Sequence, residues 1–168
     1  PGPVRLAGWG ESSDAHHMSA PEPEGHGPER AIREALQRAG LAPADIGYVN
    51  LHGTATPQND AMEAAVLHRV FGAATPASST KPLTGHTLGA AGAVEAGLCA
   101  LAIRDGLMPP NANLQQVDPD CDVNIVRDTP REQRIGMAIS NSLGFGGSNS
   151  CLAFRHPEDT TALVASGR

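Results

Sequence analysis

The sequence predicts an α/β layered fold built around a largely parallel sheet. Apolar runs of strand length alternate with helical stripes over residues 4–105, and further strand-like runs follow. A hydrophobic content of 40% in 168 residues is enough for one sizeable core, so we expect a single lobe. Aromatic residues make up only 3%, which indicates that small side chains bring helices and strands close together.

The first predicted elements are a strand at 4–9 and a helix at 28–39. The strand is an apolar run that ends among glycines, and the helix has Pro28 in its first turn and Gly40 as its stop. Between them, 11–27 is rich in Pro, Gly, His and Ser. A loop of this length indicates a functional surface segment.

The middle of the chain predicts two further pairs of strand and helix, each joined by a loop. An apolar run at 46–51 predicts a buried strand, and the stripe at 60–70 predicts a helix that Asp60 caps. A short strand at 77–79 precedes a Gly-rich turn and an Ala-rich helix at 90–105.

The last part of the chain predicts strands separated by turns. These strands lie at 123–126, 135–140 and 151–154. A tight Gly-rich turn at 144–148 separates the last two. We expect 1–156 to form one domain and 157–168 to be a disordered tail. Because the chain starts with proline, we also expect a processed or truncated piece of a longer protein.

Charge and cysteine content exclude several classes of function. The formal charge is -6 and the basic residues are scattered, so we expect neither nucleic acid nor a membrane as a partner. No apolar run is long enough to span a membrane, and no signal peptide is evident, so we expect a cytoplasmic protein. The 3 cysteines lack Cys-x-x-Cys spacing, which argues against disulfides and a zinc clip.

The first motif is His-Gly-Thr-Ala-Thr-Pro at 52–57, directly after a predicted strand. Sites in open α/β sheets collect beyond the carboxyl ends of strands. His52 can donate or accept a hydrogen bond near neutral pH, and the hydroxyls of Thr54 and Thr56 can bind a polar chain. The alternative is a structural histidine with hydroxyls that satisfy a turn.

The second motif, Lys-Pro-Leu-Thr-Gly-His at 81–86, leads into a Gly-rich helix entry. Lys81 is a cation, and His86 lies where the helix dipole and free amides favour a neutral imidazole or a bound anion. The alternative is an anion-binding nest or simple helix capping. Glu95 is placed either to pair with Lys81 or to be one polar position on a helix of small residues.

The third motif, Gly-Phe-Gly-Gly at 144–147, presents one large ring on a turn. Gly144 and Gly146 on either side of Phe145 let the backbone move, as a gate over a hydrophobic pocket requires. A tight hairpin with one exposed phenylalanine is the alternative.

Other histidines and cysteines indicate structural roles. His16, His17 and His26 lie in the predicted loop without a fourth ligand at metal spacing, so we expect no metal site there. Cys99 and Cys151 lie in apolar runs and are interpreted as core thiols.

Taken in this order, the three motifs resemble those of the β-ketoacyl-acyl-carrier-protein synthases, condensing enzymes of the thiolase superfamily. That family carries His-Gly-Thr-x-Thr-Pro, Lys-x-x-x-Gly-His and Gly-Phe-Gly-Gly, and the loop at 13–18 is also similar to one of its loops. The resemblance covers 4–154. It implies a thiolase-like layered lobe, one βαβαβ-type half of a two-half fold, here the C-terminal half.

The resemblance also implies an activity and the roles of four side chains. The activity is decarboxylative Claisen condensation of malonyl-acyl-carrier protein with an acyl thioester, in fatty acid or polyketide-type synthesis. His52 and His86 would hydrogen-bond the thioester oxygen and stabilise the developing enolate. Lys81, with Glu95, would support the environment of the second histidine.

The remaining implied roles concern the substrate and the partners. Thr54 and Thr56 would contact a phosphopantetheine arm, and Phe145 would gate malonyl entry. No metal or organic cofactor is implied, because the substrate is carried on the phosphopantetheine of an acyl carrier protein. The implied partners are that carrier protein, the protein's own N-terminal half, and a second subunit in a homodimer or heterodimer.

The nucleophilic cysteine of the family lies in the other half, in a Gly-x-Ala-Cys-Ala-like setting that none of this chain's cysteines has. The resemblance therefore implies that this chain alone is inactive. The alternative is a non-catalytic partner, either chain-length-factor-like or binding the carrier protein. Both histidines and the lysine favour the enzyme, because a purely structural partner would not require them.

Overall fold

The computed structural model describes residues 2–159, in which a six-stranded sheet has helices on both faces. The strands of the described residues are β1 (Arg5–Ser13), β2 (Tyr48–Asn50), β3 (Pro76–Ser78), β4 (Leu107–Met108), β5 (Asn124–Ile125), β6 (Arg131–Glu132), β7 (Met137–Gly144) and β8 (Ser148–Arg155). The α-helices of the described residues are α1 (His26–Ala39), α2 (Pro57–Phe71), α3 (Lys81–Thr84) and α4 (Ala91–Asp105). Short 3-10 helices lie at Pro43–Asp45, Leu88–Ala90 and Phe145–Gly147.

The large sheet has the strand order β1-β8-β7-β2-β3-β5, and β4 pairs with β6 apart from it. β7, β2, β3 and β5 pair in parallel, whereas β8 pairs antiparallel with both β1 and β7. The α/β fold is confirmed, but the prediction of a largely parallel sheet is wrong for the half that contains β1 and β8. A 3-residue turn joins β7 to β8, and so short a connection pairs two strands antiparallel.

The sheet is the middle of three layers. On one face, α1 and α2 contribute Ile32 and Val66 to a buried cluster that includes Val49 of β2. On the other face, Cys99 of α4 packs in a second buried cluster with Tyr48 of β2. Side chains from β2 thus enter both cores, as expected for a strand in the interior of a covered sheet.

Two glycines of β1 allow α1 to lie very close to the sheet. A Cβ at Gly8 would come 2.3 Å from the carbonyl oxygen of Ala35, and a Cβ at Gly10 would come 1.9 Å from that of Ala31. Either side chain would collide with the helix backbone. This close approach agrees with the expectation that small residues bring the layers together.

The boundaries of the first two long helices differ from the predicted ones at their starts. Helix α1 begins at His26 and ends at the predicted stop, Gly40, whose φ of 65° is left-handed. Helix α2 begins at Pro57, so Asp60 lies within its first turn, where its backbone N–H donates to the oxygen of Thr56. The predicted cap at Asp60 is therefore wrong, because proline at the first helical position starts the helix earlier.

The structure also bears on the cysteines, on membrane spans and on the chain end. Cys99 and Cys151 are fully buried free thiols, as predicted. Among residues 2–159, no helix has the length and apolar character needed to cross a membrane. Of the predicted tail at 157–168, residues 160–168 lie outside the part of the chain that the structure describes.

Candidate active site

The two predicted histidines and the lysine lie at one edge of the sheet. β2 ends two residues before His52, and β3 ends shortly before Lys81, the first residue of α3. Because β2 and β3 are parallel neighbours, their carboxyl ends and the loops that follow meet at the same edge. The rings of His52 and His86 are in contact, with centroids 5.6 Å apart and planes at 85°.

Main-chain donors determine which nitrogen of each histidine carries the proton. The backbone N–H of Leu143 donates to Nδ1 of His52 at 3.3 Å, and the backbone N–H of Leu88 donates to Nδ1 of His86 at 3.3 Å. A backbone N–H can only donate, so both Nδ1 atoms must accept. In the neutral imidazoles the proton therefore lies on Nε2, and each ring has one N–H left to donate.

The surroundings of His52 keep its ring neutral. Burial, reinforced by the electrostatic influence of the neighbouring Lys81 and His86, lowers the pKa of His52 from 6.5 to about 3. Nζ of Lys81 lies 3.5 Å from Nδ1 of His52, so a second proton on this ring would meet a cation directly. His52 is thus suited to donate a hydrogen bond, not to carry a positive charge.

This low pKa predicts a pH-dependent stability term. The unfolded chain binds a proton at His52 below about pH 6.5 and the folded chain only near pH 3, so the cost of folding grows as the pH falls between them. Between pH 6.5 and 5, the full-length protein should lose about 1.6 kcal/mol relative to its His52→Ala variant. Urea titrations at both pH values measure this difference. An equal gap between the two proteins at both pH values would contradict it.

Lys81 and Glu95 form a buried ion pair behind His52. Nζ of Lys81 donates to Oε1 of Glu95 and to the backbone oxygen of His52, and both side chains of the pair are almost inaccessible. The pairing of Lys81 with Glu95, which the sequence left open, is present. Burial raises the pKa of Glu95, and the hydrogen bond from Lys81 opposes that rise.

The expected partner of Lys81 needs correction. The family resemblance led us to expect it beside the second histidine, whereas its hydrogen bonds reach His52 and Glu95. His86 instead influences Glu95, whose pKa it helps to lower. The lysine lies against the first histidine because α3 starts directly beyond β3, the neighbour of the strand that precedes His52.

Thr54 and Thr56 lie on the loop between His52 and α2. Their Oγ1 atoms are 3.0 Å apart and hydrogen-bonded to each other, with Thr54 half-buried and Thr56 exposed. Ala55 between them has a φ of 59°, an uncommon conformation for alanine that turns the two hydroxyls toward each other. The pair presents polar atoms to solvent beside His52.

The turn after β7 presents Phe145, whose side chain is 81% exposed. The left-handed glycines of this turn are Gly146 and Gly147, with φ of 78° and 77°. Gly144, expected to share this role, is the last residue of β7, with a φ of -113°. The N–H of Gly146 donates to the oxygen of Met18, so the turn rests on the loop that follows β1.

One residue of the site was missed by sequence reasoning. Glu63 of α2 is buried, and its carboxylate accepts the backbone N–H groups of His52 at 2.8 Å and Gly53 at 2.9 Å. A signal was available, because Glu63 lies on the same face of the predicted helix as the apolar residues Val66 and Leu67. A charged residue on a buried helix face needs partners and is a candidate for function.

Several buried side-chain oxygens have no hydrogen-bond partner within residues 2–159. They are Oδ1 of Asn50, Oε2 of Glu95, Oγ of Ser140 and Oδ1 of Asn141. Asn50 and Ser140 are register partners on adjacent strands. Oxygen ligands of this kind suit ordered water or a hard cation. In that same part of the chain, no three His, Cys, Asp or Glu side chains are grouped to hold a metal ion.

Apolar side chains are exposed beside the site and along α4. They are Leu83, Leu88, Val94, Leu101 and Phe145. Helix α4 buries Glu95, Cys99 and Ile103 on its inner face, yet its outer face is also apolar. A helix that is apolar on all sides is typical of the interior of a larger protein.

Comparisons with known proteins agree on one family. The profile described as beta-ketoacyl synthase, C-terminal domain, matches residues 4–115. The 3-oxoacyl-[acyl-carrier-protein] synthase 2 of Staphylococcus aureus is 44% identical over 155 residues, which cover 90% of this chain and 38% of that protein. The chain thus spans well under half the length of this relative.

Two solved structures are similar over most of the chain. A ketosynthase in complex with its chain length factor from Xenorhabdus doucetiae is 49% identical, with a TM-score of 0.87 over 93% of this chain and 40% of that one. A type II polyketide synthase acyl-carrier protein in complex with its ketosynthase, bound to the hexaketide, gives 33% identity and a TM-score of 0.89. That match covers 92% of this chain and 39% of the other.

Proposed function

The chain belongs to the β-ketoacyl synthase family as a C-terminal half with the thiolase-like fold, and from that premise we propose that it stabilises the enolate in a condensing site. The substrate would be a malonyl group on the phosphopantetheine arm of an acyl carrier protein. The full-length protein, this chain joined to the remainder that its relatives possess, would be a 3-oxoacyl-acyl-carrier-protein synthase.

The observation that carries the proposal is the pair of Nε2–H donors. Both His52 and His86 have Nδ1 engaged by a backbone N–H, and their rings are in contact. Two donors on neighbouring rings suit one thioester oxygen, which gains negative charge when the malonyl group loses its carboxylate. The low pKa of His52 keeps that donor neutral and the hydrogen-bond pattern unchanged near neutral pH.

The proposed reaction balances in two steps. The bond between the malonyl carboxylate and its neighbouring carbon breaks, CO2 leaves, and the electron pair enters the thioester as an enolate. The enolate carbon then attacks an acyl thioester on an enzyme cysteine, a carbon–carbon bond forms, and the cysteine thiolate is expelled. The 3-oxoacyl product remains on the carrier protein, and no redox cofactor takes part.

The cysteine that carries the acyl group into the second step is proposed to lie outside this chain. Cys99 and Cys151 are fully buried, and burial raises the pKa of both thiols, which opposes formation of a thiolate. Cys121 is half-buried, and burial with nearby carboxylates raises its pKa as well. We therefore assign the acyl-carrying cysteine to the N-terminal half and expect this chain alone to be inactive.

The apolar outer face of α4 supports an N-terminal half as the first partner. Val94 and Leu101 on this helix are exposed, and Leu83 and Leu88 continue the apolar surface toward His86. Residues 1–156 would thus form one domain of a larger protein. An acyl carrier protein and a second subunit, identical or chain-length-factor-like, complete the proposed partners, since similar solved structures contain such complexes.

Two further roles concern entry of the substrate. Thr54 and Thr56 present adjacent hydroxyls on the loop after His52, which suits the amide groups of a phosphopantetheine arm. Phe145 is exposed on a turn with two left-handed glycines, which suits a ring that moves between acylation and malonyl entry. Both roles belong to the proposal.

The proposal is tested by product formation in the full-length protein. Incubated with acyl and malonyl carrier proteins, it should release CO2 and yield 3-oxoacyl carrier protein in equal amounts, both followed by mass spectrometry. A non-catalytic, chain-length-factor-like subunit would yield neither product. Release of CO2 without 3-oxoacyl product would retain the enolate site and reject the condensation.

A further inference from the structure

Glu63 holds the loop that carries His52 through its main chain. The side chain is only 3% exposed, and its two carboxylate oxygens accept different backbone donors. Oε1 accepts the N–H of His52 at 2.8 Å, and Oε2 accepts the N–H of Gly53 at 2.9 Å. Two adjacent N–H groups bound by one carboxylate fix both the position and the orientation of that loop.

The same carboxylate connects this loop to β7. Asn59 donates to Oε2 at 3.4 Å, and the side chain of Asn141 is near enough to help lower the pKa of Glu63, against the rise that burial causes. Asn141 precedes Leu143 by two residues on β7, and the N–H of Leu143 binds the ring of His52. His52 is therefore held at its backbone by Glu63 and at its ring by the strand that Glu63 also contacts.

The loop that carries His52 has little freedom to adjust if its hydrogen bonds with Glu63 are lost. Gly53 has a φ of 44°, and a Cβ at this position would come 2.5 Å from Cβ of Ser79. The contacts described for Glu63 are to amide donors, which a carboxylate matches with four acceptor positions. A glutamine would direct its own N–H group at one of the two backbone donors, so the loop would have to move.

We propose that Glu63 is a positioning residue that aligns the Nε2–H of His52 with the substrate oxygen. This inference rests on the proposed function, because Glu63 acts through His52 and touches no reacting atom. Its carboxylate binds the loop of His52. His86 is instead bound by the N–H of Leu88 and contacts the ring of His52. Loss of Glu63 should therefore impair one donor of the pair.

A double-mutant cycle separates alignment from general damage. In the full-length protein, Glu63→Gln should lower the rate of malonyl carrier protein decarboxylation about 10- to 100-fold, the range that a misplaced catalytic group costs. In a His52→Ala background, the same change should alter the rate by less than about twofold, because no donor remains to align. A partly unfolded protein would lose activity equally in both backgrounds.

The control is Glu34→Gln on α1, a carboxylate that also accepts a backbone N–H, from Glu11 at 2.9 Å. It should leave decarboxylation unchanged in both backgrounds. If Glu63→Gln fails to fold, as judged by circular dichroism, the cycle is run with Glu63→Asp, which retains the acceptors at shorter reach.

The outcomes distinguish this inference from the proposed function. Additive losses, or full activity in Glu63→Gln, would overturn the role of Glu63 and leave the two-histidine site intact. Full activity of His52→Ala alone would reject the proposed function, and the positioning role with it. Loss confined to the parent background supports alignment of His52 by Glu63.

Discussion

Replacing either His52 or His86 with alanine is expected to lower decarboxylation of malonyl carrier protein about 10²- to 10³-fold. In the proposed site each ring would supply one Nε2–H to the oxygen that becomes negative, and alanine would leave that charge with a single donor. The measurement is CO2 release by the full-length protein at saturating malonyl carrier protein, so that loss of binding is separated from loss of chemistry.

The matched control for this experiment is His68→Ala. His68 is an exposed histidine of α2, and its replacement removes the same ring from the surface. We expect it to keep parental activity. If His52→Ala and His86→Ala both retain parental rates, the two rings do not stabilise the enolate. If only one of them is impaired, the second ring has another role.

Lys81→Met is expected to destabilise the full-length protein by about 3–5 kcal/mol, the cost of leaving one buried charge without its partner. Oε1 of Glu95 loses its ion pair and Oε2 already has no partner within residues 2–159, while the backbone oxygen of His52 loses a donor. The free energy of unfolding from urea titration at pH 7.5 measures this effect.

Two comparisons show whether burial of charge is the cause. Lys81→Met combined with Glu95→Gln removes both charges and should recover most of the lost stability, because no uncompensated carboxylate remains. Arg33→Met removes the exposed partner of Glu29, 2.8 Å away, and should cost less than about 1 kcal/mol. A double variant as unstable as Lys81→Met would assign the loss to packing and not to charge.

Lys81→Met is also expected to shift the pKa of His52 in a defined direction. The charge of Lys81 helps to lower the pKa of that histidine, so its removal should raise the pKa. Nuclear magnetic resonance of the ring measures this change.

The position of the site could be predicted from the sequence, because it depends on local rules. His52 and Lys81 each follow a predicted strand, and parallel neighbours bring such positions to one edge. The direction of β1 and β8 was harder to predict, since an apolar run has the same appearance in either strand orientation. The short turn at 144–148 was the available sign that β7 and β8 are antiparallel.

The partners of buried charges could not be predicted, because they depend on distances between layers. The sequence places Glu63 on an inward helix face. Its hydrogen bond with the N–H of Gly53, however, depends on how α2 crosses β2. The choice of Lys81 between His52 and His86 likewise depends on the path of α3. Family resemblance supplied the residues of the site, whereas their contacts needed three-dimensional geometry.

Because main-chain N–H groups bind Nδ1 of both histidines, the protonation pattern of this site is insensitive to most mutations. The donors belong to Leu143 and Leu88, and every amino acid except proline retains a backbone N–H. Side chains at these two positions can therefore diverge between relatives without disturbing the imidazole protons. Substitutions there can change the surface beside the two histidines while the protons stay on Nε2.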